Sequence, residues 1–248
     1  MVCQIHSLNN HPQLIHKRTC FSFRPNPVLL RTTLFSARNN LNSDEQVSTA
    51  TVKQTQIQKS DIYNVRFKTL SACKLGISRY PDFDYNAEGG VGSATATRIS
   101  KTDSDDEFSV VFDVNELYIP PLSSATTKFL GLPLPPFLKI DIVPESFQGK
   151  INQQSGKVDL KFRARFCFSF GSIYKAPPLL VETILTSEES KGKIRGGKGE
   201  RLDKNGLCRL VGVATVDPIN DVFMDTFLSL PTECLAVMSA VISFSTTA

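Results

Sequence analysis

The most informative absences in this chain of 248 residues concern acidic residues and histidine. No Asp or Glu precedes Asp44, whereas that stretch holds five basic residues and all three histidines of the chain. An acid-free, arginine-bearing segment rich in Ser, Thr, Asn and Leu is typical of an organelle transit peptide. We interpret residues 1–43 as such a peptide and expect a chloroplast location (stromal or membrane-associated), with the mitochondrion second. The alternative is an untargeted disordered tail, although such tails are usually richer in acidic residues.

Setting residues 1–43 aside removes the positive charge and every histidine. The whole chain carries +4, so the remaining residues are close to neutral, at −1. A nucleic-acid partner needs a basic footprint on the folded domain, and we predict none. Serine and cysteine hydrolases usually need a histidine base, and many metal sites need histidine ligands. The sequence therefore predicts no cofactor and no metal.

Long apolar runs and cysteine motifs are also missing. No apolar stretch approaches 18 residues, so no transmembrane helix is predicted. Four cysteines lie beyond the first 43 residues without a C-x-x-C pair, which predicts buried free thiols, with a disulfide as the alternative. Residues 44–60 are polar and lack periodic apolar positions, as expected of a disordered linker. Residues 61–244 are then long enough for a single domain with its own core.

What the chain does have is apolar residues in strict alternation with polar ones, the pattern of half-buried strands. The clearest case is residues 156–172, where one face holds a row that we call the Phe row: Val158, Leu160, Phe162, Ala164, Phe166, Phe168 and Phe170. Arg163 and Arg165 lie on the other face. Either the Phe row is the core and the arginines face solvent, or a barrel encloses the arginines in a polar pocket.

Further strands are predicted near residues 63–68, 92–99, 108–118, 138–142, 179–186 and 207–216. A helix is predicted after Asp217 as N-cap and Pro218 as first helical residue, with Pro231 ending it. Residues 232–244 fit either a short helix or a strand. The fold class predicted is mainly β: an antiparallel β-barrel or strongly curved sheet with one or two short C-terminal helices.

Three residues are candidates for catalysis. Glu116 and Tyr118 follow a strand whose alternation would place both on the face of Phe112. A carboxylate in such apolar surroundings would have a raised pKa suited to proton transfer, and a tyrosine could donate a hydrogen bond to a substrate oxygen. Glu182, inside an otherwise apolar strand, is the third candidate. In the alternative interpretation both carboxylates are solvated or paired with arginine.

Two loops invite functional interpretation. Residues 120–136 combine five prolines with several large apolar side chains, so this segment could be a lid, a membrane contact or a plug at one barrel end. Residues 191–206 are glycine-rich and basic, but Lys198 is followed by Gly199 rather than Ser or Thr. That departs from the phosphate-binding loop pattern and favours a flexible hairpin loop, one that could still touch anionic lipid headgroups.

One stretch resembles the plastid allene oxide cyclase family. The shared trace is Phe147-x-Gly149, then Gly156-x-Val158-x-Leu160, then the aromatic run Phe166, Phe168 and Phe170. It covers about 25 residues of the chain. The resemblance implies a barrel, made with a transit peptide, that cyclises an unstable epoxide in an apolar cavity. No catalytic residue of this chain is assigned from the resemblance.

Taken together, these features predict a plastid barrel that binds a small hydrophobic molecule of isoprenoid or oxylipin type. It could be a cofactor-independent isomerase or cyclase acting through cavity shape and a carboxylate–tyrosine pair, because such reactions depend on positioning and desolvation. The alternative is a non-catalytic lipid or pigment carrier or a thylakoid-associated assembly factor. A thylakoid or envelope membrane surface is the expected macromolecular partner. The candidate ligand-binding residues are Phe112, Phe129, Phe166 and Phe168.

Overall fold

Strands dominate the computed structural model, which describes residues 62–99 and 106–246 of the chain. The predicted transit peptide and linker lie outside the described residues. The elements, in chain order, are β1 (Ile62–Thr69), β2 (Cys73–Ile77), β3 (Phe83–Tyr85), β4 (Val91–Arg98), β5 (Glu107–Phe112), β6 (Thr127–Phe129), β7 (Leu132–Pro133), β8 (Leu138–Asn152), β9 (Val158–Phe170), β10 (Tyr174–Lys175), β11 (Leu179–Thr186), β12 (Glu189–Lys191), β13 (Gly196–Lys198), β14 (Leu207–Val216), α1 (Val222–Leu228) and β15 (Thr232–Thr246).

Eight of these strands close into an antiparallel ring. The order around the ring is β1, β4, β5, β8, β9, β11, β14 and β15, and β15 pairs back onto β1. Closure satisfies the backbone hydrogen bonds of both edge strands, which an open sheet would leave unpaired. The predicted fold class, a mainly β antiparallel barrel with a short C-terminal helix, is therefore confirmed.

The β8–β9 hairpin supplies the longest pair of strands in the ring. β8 was expected to stop before Pro144, but it continues to Asn152. The pairing register shifts between Pro144 and Ser146, so Glu145 is the extra residue of a β-bulge. The bulge lets the strand pass the proline and places the Glu145 carboxylate on the outer face.

The last strand, β15, has a different neighbour along each half. Its second half pairs with β1, where Ala240 lies opposite Thr69 and Thr246 opposite Tyr63. Its first half pairs with β2 instead, from Cys234 opposite Ile77 onward. The small strands β3, β6 and β7 extend the sheet from β2. Along one half of the barrel, β1 therefore pairs with β15 and closes the ring. Along the other half, β2 pairs with β15 instead, and β3 and β6 continue the wall from β2.

Helix α1 begins four residues later than the N-cap prediction placed it. Its N-cap is Asp221 rather than Asp217, because the Asp221 carboxylate accepts a 2.9 Å hydrogen bond from the Met224 amide. Met224 and Leu228 are the residues that the helix buries. Phe223 and Phe227 instead stack on each other at the surface, with ring centroids 5.8 Å apart.

The main core fills the closed half of the ring. An aromatic stack lies at its centre, in which Phe112 and Phe147 are 4.3 Å apart and Phe67 meets both rings edge-on. Two smaller apolar clusters lie in the other half, one around Val181 and Met224 under the helix and one around Tyr85 and Leu134 beside β3. The space between these two clusters is not filled by side chains, as described next.

Candidate ligand-binding cavity

A cavity of about 590 Å³ occupies the half of the barrel bordered by β2, β3 and α1. Its floor is the top of the main core, formed by Phe67, Phe147 and Phe162. One side is formed by inward-facing residues of β11 and β14, such as Val181 and Val216. The volume falls within the range typical of sites for small organic ligands, about 300–1,000 Å³.

The lining is almost entirely apolar. Among the described residues, no Asp, Glu, Lys or Arg lines the cavity. Most lining hydroxyls already donate hydrogen bonds to backbone carbonyls: Tyr80 to Phe227 at 2.8 Å, Thr183 to Val213 at 2.9 Å, Thr69 to Ala87 and Tyr85 to Pro120. The walls therefore offer shape and apolar surface, with few groups that could polarise a substrate.

Six lining residues are exposed to solvent, and together they define the cavity mouth: Tyr118, Leu130, Leu132, Pro133, Pro135 and Phe227. Leu130 and Leu132 are 70% and 71% exposed. The nearby Phe137 is 76% exposed but does not line the cavity. The cavity thus opens to the surface between apolar side chains.

The predicted ligand-binding phenylalanines divide between the cavity and the core. Phe129, Phe166 and Phe168 line the cavity. Phe112 does not, because it stacks behind Phe147 in the closed half of the ring. The Phe row predicted on β9 does face the interior, except for Phe170 at its end, which is 38% exposed.

Glu116 lies at the surface rather than on the inner face of a strand. β5 ends at Phe112, and a turn over residues 113–116 breaks the alternation that was expected to continue to Tyr118. After the turn, Leu117 points inward and lines the cavity, while the Glu116 carboxylate accepts a hydrogen bond from Ser93. Tyr118 stands at the cavity mouth, 54% exposed.

Glu182 lies on the outer face of β11. It does share the face of Leu180 and Ile184, as the alternation predicted, but that face is exposed. Its carboxylate contacts Lys161 at 2.6 Å and Arg163 at 3.3 Å. Lys161 and then Arg163 hold the pKa of Glu182 below its ordinary value, the opposite of the raised pKa expected of a buried base.

The two arginines opposite the Phe row face outward, so no polar pocket forms inside the barrel. Arg163 and Arg165 both contact the bulge residue Glu145, at 2.9 and 3.0 Å. Arg163 also lies directly opposite Glu182 in the strand pairing. The three catalytic candidates, Glu116, Tyr118 and Glu182, are thus not gathered in the cavity: Tyr118 alone borders it.

The proline-rich segment forms part of the cavity wall. It contains the small β6–β7 hairpin, in which Phe129 pairs with Leu132. Leu122 also bridges to Ile140 of β8, which ties the start of the segment to the barrel. Because Leu122, Leu130 and Leu134 line the cavity, the segment covers one side of the cavity rather than plugging it.

The glycine-rich segment forms the β12–β13 hairpin, and it is held to the sheet by Glu233. The Glu233 carboxylate accepts hydrogen bonds from the backbone amides of Lys193, Ile194 and Arg195 at 2.6, 2.7 and 2.9 Å. These bonds lower the pKa of Glu233. Arg195 in turn donates to the carbonyl of Ser78 at 2.9 Å and to the Tyr80 carbonyl, beside the cavity wall.

Several lining residues were not predicted from the sequence. Met224 and Leu228 belong to the buried face of α1, and Cys234 lies at the start of β15, where the sequence left helix or strand open. The sequence signal that bears on the lining is the alternation of β11, which places Val181 and Thr183 on the face opposite Glu182. Nothing local indicated that these inward side chains would line a void.

The cysteines of the described residues are all free thiols. Burial raises the pKa of Cys234, which lines the cavity, to about 11 and that of Cys208 to about 12. Within residues 62–99 and 106–246, no three His, Cys, Asp or Glu side chains are grouped so that they could hold a metal ion. In the same residues, no helix has the length and apolar character needed to cross a membrane.

Comparison with known proteins returns no relative of this chain. No protein-family model, curated protein or solved structure matches it significantly. Arguments about function therefore depend on the barrel and its cavity.

Proposed function

We propose that this barrel binds a small hydrophobic molecule, of isoprenoid or oxylipin type, inside the cavity. The observation that carries the proposal is the void of about 590 Å³ with an apolar lining. Apolar surface facing an unfilled space loses both packing contacts and the benefit of burial, and a ligand would restore both. We expect the protein to act in a plastid, in line with its acid-free N-terminus.

A non-catalytic carrier is the form of this function that the geometry favours. General acid–base catalysis needs a titrating group within hydrogen-bond reach of the substrate. In the described part of the chain, the ionisable lining residues are three tyrosines and Cys234. Burial raises the pKa of Tyr85 and of Cys234, so both are neutral near neutral pH. An isomerase or cyclase of this design would have to act through shape and hydroxyl groups, without the carboxylate–tyrosine pair.

The proposal is tested by asking whether a ligand accompanies the protein. Native mass spectrometry and lipid extraction of the mature protein purified from leaf are expected to reveal one bound apolar molecule per chain. The delipidated protein is expected to bind nile red, an uncharged fluorescent probe, and to release it when the extracted lipid is added. A ligand-free protein that also fails to bind nile red would contradict the proposal.

Substitution of the outer carboxylates is expected to leave ligand binding unchanged. Glu116→Gln and Glu182→Gln remove charges that lie outside the cavity, so nile red affinity should stay within about twofold of the wild type. The measurement is a fluorescence titration of each variant, together with its melting temperature. A loss of affinity in a variant that keeps its melting temperature would show that the carboxylate takes part in ligand binding.

A membrane surface is the proposed partner, and it would also supply the ligand. Leu130 and Leu132 line the cavity and are exposed, so a lipid bilayer touching the mouth would adjoin the cavity directly. Leu130→Ser combined with Leu132→Ser is expected to reduce co-flotation with anionic vesicles at least about threefold. Leu207→Ser, at the opposite end of β14 from Val216, is the control and should co-float like the wild type. Equal flotation of all three proteins would contradict a membrane contact at the mouth.

A further inference from the structure

Among the described residues no charged side chain lines the cavity, and this restricts which hydrophobic molecules the cavity can hold. We propose that the ligand is an uncharged lipid, which narrows the proposed class to an isoprenoid or an esterified oxylipin, and that fatty-acid anions, including free-acid oxylipins, bind poorly. The inference rests on the proposed function and names the ligand class of the same cavity.

The described lining offers no cation that could neutralise a ligand carboxylate. In residues 62–99 and 106–246, no Lys or Arg side chain lines the cavity. A carboxylate moved from water into apolar surroundings needs a cation or several donors to offset its lost hydration. An anionic lipid would therefore leave its headgroup outside the mouth and lose part of its chain contact.

Three cations beside the cavity walls are directed away from the cavity. The Arg195 guanidinium is 2.6 Å from Asp82, and Lys139 is 2.7 Å from Asp141. Lys128 lies between Thr127 and Phe129 on β6, where strand alternation directs it away from the face of those two residues, opposite Asp84. These three side chains are therefore not positioned to meet an anion in the cavity.

Hydrogen-bond donors are the other groups that could offset the lost hydration of a carboxylate. The hydroxyls of Thr69, Tyr80, Tyr85 and Thr183 all donate to backbone carbonyls. A hydroxyl has one proton to donate and two acceptor lone pairs, so these groups retain acceptor capacity only. A carboxylate, which only accepts, finds no partner among them, and the remaining lining hydroxyl of the described residues, that of Tyr118, lies at the mouth. An alcohol can donate to a hydroxyl oxygen, and an ester or hydrocarbon carries no charge to compensate.

The test compares three competitors with one chain length. Dodecanol, methyl dodecanoate and dodecanoate are each used to displace nile red from the purified protein, below their aggregation concentrations and at about pH 8, where the carboxyl is ionised. The two uncharged competitors are expected to displace the probe, with dodecanoate at least about tenfold weaker. Equal potency of dodecanoate would overturn the inference while leaving the proposed function intact. Failure of nile red and of all three competitors to bind would overturn both.

A charge placed at the mouth supplies the converse test. Leu132→Lys puts an ammonium group on an exposed lining residue and is expected to raise dodecanoate affinity about tenfold. Ile173→Lys is the matched control, because Ile173 is 85% exposed and does not line the cavity, so no gain is expected. A Leu132→Lys variant that binds nile red but gains nothing for dodecanoate would overturn the inference that missing charge sets the selectivity.

Discussion

Val181→Phe is expected to weaken binding of nile red and of any co-purified lipid by at least about tenfold, equivalent to ~1.4 kcal/mol. Val181 lies on the inner face of β11 and lines the cavity under the helix. A larger side chain there would occupy the volume that the ligand needs. Overpacking a filled core costs about 1–3 kcal/mol, whereas a ring directed into a void meets less resistance. We therefore expect the variant to fold.

The adjacent residue provides the control for this prediction. Leu180 faces outward and is 43% exposed, so Leu180→Phe adds an aromatic ring to the same strand without entering the cavity. Its ligand affinity should equal that of the wild type in the same fluorescence titration. Unchanged affinity in folded Val181→Phe would mean that the ligand does not occupy this cavity. Equal losses of affinity in both variants would indicate that distortion of β11, rather than filling of the cavity, weakens binding.

Glu233→Ala is expected to lower the melting temperature at neutral pH by several degrees. The substitution leaves three backbone amides of the β12–β13 hairpin without their shared acceptor. The bonds are partly buried, and hydrogen bonds to a charged acceptor stabilise a fold more than neutral ones do, so their loss is costly. The Arg195 amide is one of the three, so the substitution would loosen the backbone from which the Arg195 side chain reaches the Ile77 and Tyr80 carbonyls beside the cavity. A modest loss of ligand affinity should accompany the loss of stability.

The pH dependence of this effect has a definite sign. The three amide hydrogen bonds hold the pKa of Glu233 below that of an ordinary glutamate. A carboxylate with a lowered pKa stabilises the folded state above its unfolded-state pKa, and this contribution is lost as pH falls through the folded-state pKa. The difference in melting temperature between wild type and Glu233→Ala should therefore shrink in acid.

Calorimetry or circular dichroism between about pH 8 and pH 3 measures this difference. Glu189→Ala is the control, because Glu189 is an exposed residue of the same hairpin and should change the melting temperature little. If the melting-temperature difference between wild type and Glu233→Ala did not change with pH, the charge of the Glu233 carboxylate would not be the cause of the stabilisation. A wild-type melting temperature in that variant would show that the hairpin does not depend on Glu233.

Strand predictions succeeded where one local pattern ran without interruption. On β9 the alternation correctly divided the inward Phe row from the outward Arg163 and Arg165. It failed across the turn at residues 113–116, because four turn residues reset the phase and brought Leu117 rather than Glu116 inward. Alternation describes a continuous pleat and carries no information past its end.

The helix shows a second limit of local signals. Asp217 followed by Pro218 has the composition of a helix start, and Asp221, four residues after Asp217, is also a suitable N-cap residue. The structure uses Asp221, whose carboxylate also accepts a 2.7 Å hydrogen bond from Tyr174. That tertiary partner is distant in sequence, so the choice between two adequate N-caps could not be made locally.

By itself, the sequence determined the fold class and the inward face of the long strands, because side chains alternate with a period of two along any strand. It also limited the chemistry, since no histidine follows His16. Only the tertiary structure decided that part of the interior is hollow. β15 exchanges β1 for β2 along its length, and the apolar cluster beside β3 and the one under α1 leave a cavity between them. A void depends on the distance between strands remote in sequence, which no local pattern encodes.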